Sequence, residues 1–303
     1  MPSIQAHLLK LFFQAQHLIA PPPKELDLVK ERASLDSLSH MFRSLAELKI
    51  TQVDIRSIAG EWITPPQVTS KRTILYLHGG YYLSGSIQSH RNLAGNIAIA
   101  AQGRALIIAY RLAPEHPFPD GLEDALAAYD WLLDKGIPAK QIFLAGDSAG
   151  GGLVLSALLA LRERGKPLPA AGICLSPATD LSMSGESWKF NAKKELVVNR
   201  NIAEKIQVLY LGDTKPTYPL ASPLFADLQG LPPLLIQVGS DEVLLSDSTS
   251  FAERARQAGV EVTLEVWPRM QHVWQFTASF MPEARQAIEQ IGKYIKKNST
   301  TSQ

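Results

Sequence analysis

Ser148 lies in Gly146-Asp147-Ser148-Ala149-Gly150, a G-x-S-x-G pentapeptide between an apolar run and an Ala/Leu-rich helical stretch. In that setting the serine stands on a tight strand-to-helix turn, with its hydroxyl exposed for attack on an acyl carbon. Glycines flank it because side chains beside so tight a turn would clash. The helix start offers unpaired N–H groups and a positive dipole end to a developing oxyanion. A serine hydroxyl is a weak nucleophile and needs a base. Of seven histidines, His7, His17 and His40 fall on N-terminal helical stretches, His78 and His90 precede the serine, and His116 lies in a proline-rich loop. His272 remains, after the last apolar strand and before the last helix, in the chain order serine, acid, histidine. The imidazole in turn needs a carboxylate to hold its tautomer. The loop after residues 234–238 holds Asp241, Glu242 and Asp247, and residue chemistry does not choose between the adjacent Asp241 and Glu242.

The other half of such a site is a set of donors for the oxyanion. His78-Gly79-Gly80 directly follows the apolar run from Thr73 to Leu77. Two glycines let the backbone approach a substrate carbonyl and aim N–H groups at it. With the N–H of Ala149, the expectation is a three-donor hole of Gly79, Gly80 and Ala149. Losing one such donor typically costs about 2.7–4 kcal/mol of transition-state stabilisation. His78 is read as a brace for this loop rather than a second base. Asp147 and Glu115 are given no proton-transfer role.

These residues need elements to hold them. Ile4, Leu8, Leu11, Phe12, Ala15 and Leu18 share one face of a helix over residues 3–19, stopped by Pro21-Pro22-Pro23. A second helix is predicted from Lys24 to Leu48, through Leu28, Leu35, Leu38, Met41, Phe42 and Leu45. Alternation from Val53 to Ile58 then reads as a half-exposed strand, with Glu61-Trp62-Ile63 as its hairpin partner across Ala59-Gly60. Continuous apolar runs follow at residues 73–77, 105–109, 141–145, 172–175, 234–238 and 262–266. Runs of that kind are strands buried on both faces, as in a parallel sheet covered by helices. Helical patterns between them, at about 91–101, 121–135, 149–164 and 246–258, with a last helix at 283–297, complete an α/β fold of about eight strands. The stretch 181–230 breaks the rhythm, with one clear helix at 202–211. The domain expectation is a helical cap from residues 1–50 and 181–212 over a core of 51–180 and 213–303.

Thirty basic and twenty-nine acidic residues leave a formal charge of +1. That balance supplies no field for steering toward nucleic acid or an anionic membrane. The single cysteine, Cys174, sits in an apolar strand run, and no zinc-ligand spacing exists. Residues 8–20 are interrupted by Lys10, Gln14, Gln16 and His17, so neither a signal peptide nor a membrane span is expected. A cytoplasmic protein with no metal site and no nucleic-acid partner is the resulting expectation. The strand 262–266, at the sheet edge, is a candidate homodimer contact.

Four motifs in order resemble the hormone-sensitive-lipase family, the bacterial family IV esterases of the α/β-hydrolase fold. They are His78-Gly79-Gly80, the run Tyr110-Arg111-Leu112-Ala113-Pro114-Glu115-His116-Pro117-Phe118-Pro119, Gly146-Asp147-Ser148-Ala149-Gly150-Gly151, and Leu231-Pro232-Pro233. The likeness covers about Val53 to the C-terminus. It implies an eight-stranded, mostly parallel sheet, a cap built from N-terminal helices plus a mid-chain insertion, and cofactor-free hydrolysis of short- to medium-chain acyl esters. It also implies the acid. The family places Asp-Pro-Leu between Leu-Pro-Pro and Ala-Gly-Val, and Glu242-Val243-Leu244 stands there, 30 residues before His272. The resemblance thus points to Ser148, Glu242 and His272, with Asp241 as the rival acid. Tyr81 departs from the family by standing where a third glycine is common. Tyr81, Tyr82 and Trp274 are read either as core packing or as pocket lining. A looser likeness, from Val266 to Trp274 and Gly239 to Glu242, is to hydrolases of monoterpene ε-lactones. Lactone hydrolase and amidase are therefore the enzymatic alternatives. A ligand-binding receptor of the kind plants build on this fold is the non-enzymatic one. A membrane-surface protein would need a strongly amphipathic lid; burial against the core accounts more simply for the apolar face of the first helix.

Overall fold

The computed structural model describes residues 2–19, 26–41, 47–66, 68 and 71–299. The triple-proline stop, Lys24, Phe42, Leu45 and the tail beyond residue 299 lie outside them. So do the side chains of Leu38 and Met41.

The chain enters the sheet through a hairpin, β1 (Lys49–Ile55) and β2 (Ile58–Thr64), paired antiparallel with Ile55 opposite Ile58. The turn is Arg56-Ser57, with φ of +52° and +74°. Positive φ at both central residues makes the tight two-residue turn that suits twisted strands. Asp54 Oδ1 accepts from the Ser57 N–H at 3.0 Å. That local bond closes the turn three residues before the Ala59-Gly60 expected from the alternation. Gly60 instead lies inside β2, where a Cβ would come within 2.9 Å of Ile55 Cδ1.

The remaining strands are β3 (Thr73–Leu77), β4 (Arg104–Ile108), β5 (Ile142–Asp147), β6 (Ala171–Leu175), β7 (Leu234–Gly239) and β8 (Val262–Trp267). Their order across the sheet is β1-β2-β4-β3-β5-β6-β7-β8. β2 pairs antiparallel with both neighbours and every other pairing is parallel. β3, β5, β6 and β7 are buried along their whole length, as their unbroken apolar runs require. β8 is not: it is the sheet edge and is half-buried throughout, with Val266 exposed. Its apolar run resembles those of the inner strands, which hid the difference.

Helices α3 (Ile87–Ala101) and α9 (Pro282–Lys297) cover one face of the sheet. Helices α4 (Asp120–Asp134), α5 (Ala149–Glu163) and α8 (Leu245–Gln257) cover the other. α9 buries Ala284, Ile288, Ile291 and Ile295, the stripe read from its spacing. Two short helices, α6 (Ser187–Phe190) and α7 (Arg200–Leu209), occupy the stretch after β6 where one was expected.

The first two helices are α1 (Ile4–Ile19) and α2 (Leu28–Met41). α1 overturns the expectation that its apolar face is buried on the core. Ile4, Leu8, Leu11, Phe12 and Leu18 are exposed, from 48% to 86%. Ala6 and Leu9 make the core contact instead. Polar bonds dock the helix: Ser3 donates to the Glu283 carboxylate, and Lys10 pairs with Asp241 at 2.7 Å. α2 is held by Arg32, which donates to the carbonyls of Leu83 and Ala113 and to the Glu115 carboxylate. No helix among the described residues is long and apolar enough to cross a membrane.

Candidate active site

β5 and α5 meet at Ser148, whose backbone is at φ +53°, ψ −120°. L-residues rarely adopt that region, and here the turn imposes it. The flanking glycines have steric reasons. A Cβ on Gly146 would lie 2.5 Å from Gly150 O, and one on Gly150 would lie 2.1 Å from Leu77 O. The Ser148 N–H donates to Leu175 O at 2.8 Å, tying the elbow to β6.

His272, in the loop after β8, places Nε2 at 2.9 Å from Ser148 Oγ. Its Nδ1 lies 2.8 Å from Glu242 Oε2. The carboxylate is acceptor-only, so Nδ1 carries the proton and Nε2 is free to accept from the serine hydroxyl. Glu242 is fully buried, and its other oxygen accepts from Ser176 Oγ at 2.8 Å and from the Gly239 N–H. Burial alone would lower the pKa of His272. The hydrogen bond and charge of Glu242, joined by the charges of Glu195 and Asp147, outweigh it and leave the imidazole above its ordinary value.

The rival carboxylates are engaged elsewhere. Asp241 is paired with Lys10 of α1. Asp247 accepts from the N–H groups of Thr179 and Asp180, both at 2.9 Å, and burial pushes its pKa up to about 7.

The oxyanion loop departs from expectation at one residue. The Gly79 N–H donates to Asp147 Oδ1 at 3.1 Å, with His90 Nε2 at 3.2 Å. It is turned into the protein and is not a free donor. The N–H groups of Gly80 and Tyr81 have no acceptor among the described residues, and neither does that of Ala149 at the start of α5. Gly79 is still required, because a Cβ there would fall 2.3 Å from Asp147 Oδ2. Gly80 sits at φ +120°, and a Cβ there would strike Ser84 O at 2.3 Å.

Asp147 anchors this loop from behind. It accepts from Tyr76 Oη at 2.7 Å as well as from Gly79, and lies 3.3 Å from His90 Nε2. Burial would raise its pKa, but His90, Tyr76 and His78 together hold it below the usual value. His78 is buried, stacks on Tyr110 at 4.2 Å, and has its pKa pushed down to about 3, first by burial and then by His90. It is therefore neutral over the working range, as a brace requires.

Several residues that complete the site had no sequence signal. Ser176 bonds Glu242. Asn191 Nδ2 donates to the carbonyls of Ser240 and Glu242, at 2.9 and 2.8 Å. The buried Glu195 accepts from the N–H groups of Val197, Val198 and Val243, and burial raises its pKa. Beside Ser148 lies a narrow apolar pocket whose walls include Tyr81, Tyr82, Met183, Trp188, Ile206 and Leu244. Tyr81 both lines it and accepts from the Asn199 N–H at 2.9 Å. Tyr82 stacks on Tyr210 at 4.0 Å. Trp274 packs on Trp267 and is a core residue. Among the described residues no group of three or more His, Cys, Asp or Glu is placed to hold a metal ion. Cys174 is fully buried.

Comparison with known proteins adds the lineage. A family model of the alpha/beta hydrolase fold matches residues 74–276. An acetyl-hydrolase of Streptomyces hygroscopicus is 44% identical over 265 residues, 88% of each chain. An esterase of Acinetobacter venetianus is 36% identical, over 90% of each. Among solved structures, an esterase from the bacterial hormone-sensitive lipase family superposes with a TM-score of 0.92 at 44% identity, covering 98% of this chain and 99% of the other. The esterase EstE5, soaked with p-nitrophenyl butyrate, gives 0.94 at 40% identity, covering 99% and 100%. With its elbow, its sheet order and these relatives in agreement, the chain belongs to the bacterial hormone-sensitive-lipase family of α/β-hydrolase-fold esterases.

Proposed function

We propose that the protein is a carboxylic ester hydrolase for short- to medium-chain acyl esters, with Ser148 as nucleophile, His272 as base and Glu242 as the acid. The observation that carries this reading is the unbroken chain from Ser148 Oγ to His272 Nε2 at 2.9 Å and from His272 Nδ1 to Glu242 Oε2 at 2.8 Å. Ser148 Oγ attacks the ester carbonyl as His272 takes its proton, and the carbonyl oxygen becomes an oxyanion. The N–H groups of Gly80, Tyr81 and Ala149 receive that charge. The tetrahedral intermediate collapses, and His272 gives its proton to the leaving alcohol. Water, deprotonated by the same imidazole, then attacks the acyl-enzyme and releases the carboxylic acid and free Ser148. Gly79 takes a supporting role, holding the loop on Asp147.

The cap of residues 1–50 and 181–212 is part of this reading, supported by α7 and Tyr81 at the cavity and by Lys10 at the acid loop. Pairing of two β8 edges is the proposed dimer contact, supported by the half-buried strand's place at the sheet edge, with no further strand beside it among the described residues. A cytoplasmic location rests on the one buried cysteine, which suits a reducing compartment.

Ser148→Ala tests the assignment. Loss of a triad serine costs on the order of 10⁶ in kcat. The variant should fold with an unchanged melting profile and lose p-nitrophenyl butyrate turnover on that scale. Turnover within tenfold of the parent would remove Ser148 from the mechanism.

A further inference from the structure

Trp188 stands in the wall of the pocket beside Ser148. This residue sits on α6, a single turn tied to the acid loop through its neighbour Ser187. Ser187 Oγ donates to Val243 O and accepts from the Ser246 N–H, while its own N–H donates to Ser246 Oγ. The indole is 5% exposed and packs with Ala203, Val243 and Leu244, with the Arg200 guanidinium 5.8 Å from its ring centre. On its other side lies a second pocket, partly open to solvent, whose walls include Glu195, Val197, Arg200 and Val243. Trp188 and Val198 are the two residues that line both cavities. They form the partition between them.

The chemistry says which half of the ester enters the first cavity. Its walls include Ser148 and Ala149 but not His272. His272 must reach the leaving oxygen, so the alcohol lies on the imidazole side. The acyl chain takes the opposite branch, toward Trp188.

We propose that Trp188, with Val198, is the end wall of the acyl site and sets its chain-length limit, and that the cavity behind it is an extension the wall closes off. The proposal rests on the Ser148 assignment above. Opening the partition joins the two spaces and lets a longer chain bury methylenes that the parent excludes. A fully buried methylene is worth roughly fourfold in a rate ratio.

The test is kcat/KM for p-nitrophenyl esters from acetate to decanoate, in the parent, Trp188→Ala, Val198→Ala and Ser148→Ala. The octanoate-to-butyrate ratio should rise about tenfold or more in Trp188→Ala, the scale of two or more newly buried methylenes. Val198→Ala should shift it the same way by a smaller factor. A series of butyrate esters with lengthening alcohols should keep its parent profile in both. An unchanged acyl ratio in a folded Trp188→Ala overturns the proposal. So does a shift confined to the alcohol series. If Trp188→Ala does not melt cooperatively, Val198→Ala decides alone, and its unchanged ratio overturns the wall. Inactive Ser148→Ala beside unchanged ratios rejects the wall only; active Ser148→Ala rejects the mechanism beneath it.

Discussion

Replacing Glu242 by Gln keeps the shape of the acid and removes one property, the ability to accept at both oxygens. Glu242 is fully buried, with Oε2 on His272 Nδ1 and Oε1 on Ser176 Oγ and the Gly239 N–H. A glutamine has two placements. With its NH₂ toward His272, Nδ1 must accept, the ring proton moves to Nε2, and Nε2 can no longer take the proton of Ser148. With its NH₂ toward Gly239, two donors face each other in a buried site, which costs about 1–3 kcal/mol for the unmet N–H. The first placement is the cheaper one and the one that stops catalysis. The corresponding Asp→Asn change in a serine-protease triad lowers kcat by about 10⁴, or about 5.5 kcal/mol of barrier. The expectation for Glu242→Gln is a loss of about 10³–10⁴ on the same ground. Asp241→Asn is the matched control. Asp241 is itself nearly buried, but its partner Lys10 is about one-third exposed and keeps its water when the charge is lost, so the change costs on the order of 1 kcal/mol of stability and leaves kcat within about threefold. The assay is kcat on p-nitrophenyl butyrate, with melting curves to show that both variants fold. Glu242→Gln within tenfold of the parent, or Asp241→Asn the more damaging of the two, would take the acid role away from Glu242.

Two further outcomes follow from the same geometry. His272 must be neutral to act as base, and Glu242 raises its pKa against burial. Log kcat/KM should therefore fall as pH drops through a midpoint above the ordinary histidine value of about 6.5; a pH-rate profile with its acid limb at or below pH ~6 would contradict this. Asp147→Ala strips the acceptor from Tyr76 and Gly79 and removes the oxygen beside His90, so urea unfolding should show a loss of about 3 kcal/mol or more, from buried donors at about 1–3 kcal/mol each. Asp147→Asn keeps the acceptor that serves Tyr76 and Gly79 and should lose well under half as much; equal losses would reject the role given to that oxygen.

Much of this molecule could be read in the chain because local pattern and fold agree. β3, β5, β6 and β7 are buried on both faces, and their unbroken apolar runs say so. Ser148 and His272 follow from a strand-turn-helix signal and chain order. Glu242 needed the resemblance, because an adjacent pair of carboxylates differs only in the direction each side chain takes. The loop places Glu242 inward on His272 and Asp241 outward on Lys10. Other features stayed hidden for stated reasons. The hairpin turn is set by the Asp54 carboxylate rather than by Gly60. The α1 stripe has helical spacing but no surface of this chain to cover it among the described residues. Gly79 and Gly80 look alike as residues, and only the position of Asp147 decides which N–H is free. Ser176, Asn191 and Glu195 act on partners 66, 51 and 48 positions away, beyond the reach of any local pattern.

Ester hydrolysis by this mechanism requires one oxygen of the protein to become covalently bound to the acyl group. Reaction of the folded enzyme with a fluorophosphonate, followed by proteolysis and peptide mass spectrometry, locates that oxygen directly. The expected result is a single adduct on Ser148, formed in step with loss of esterase activity and blocked by excess p-nitrophenyl butyrate. An adduct on another residue that accounts for the inactivation, or full inactivation with Ser148 unmodified, would contradict it.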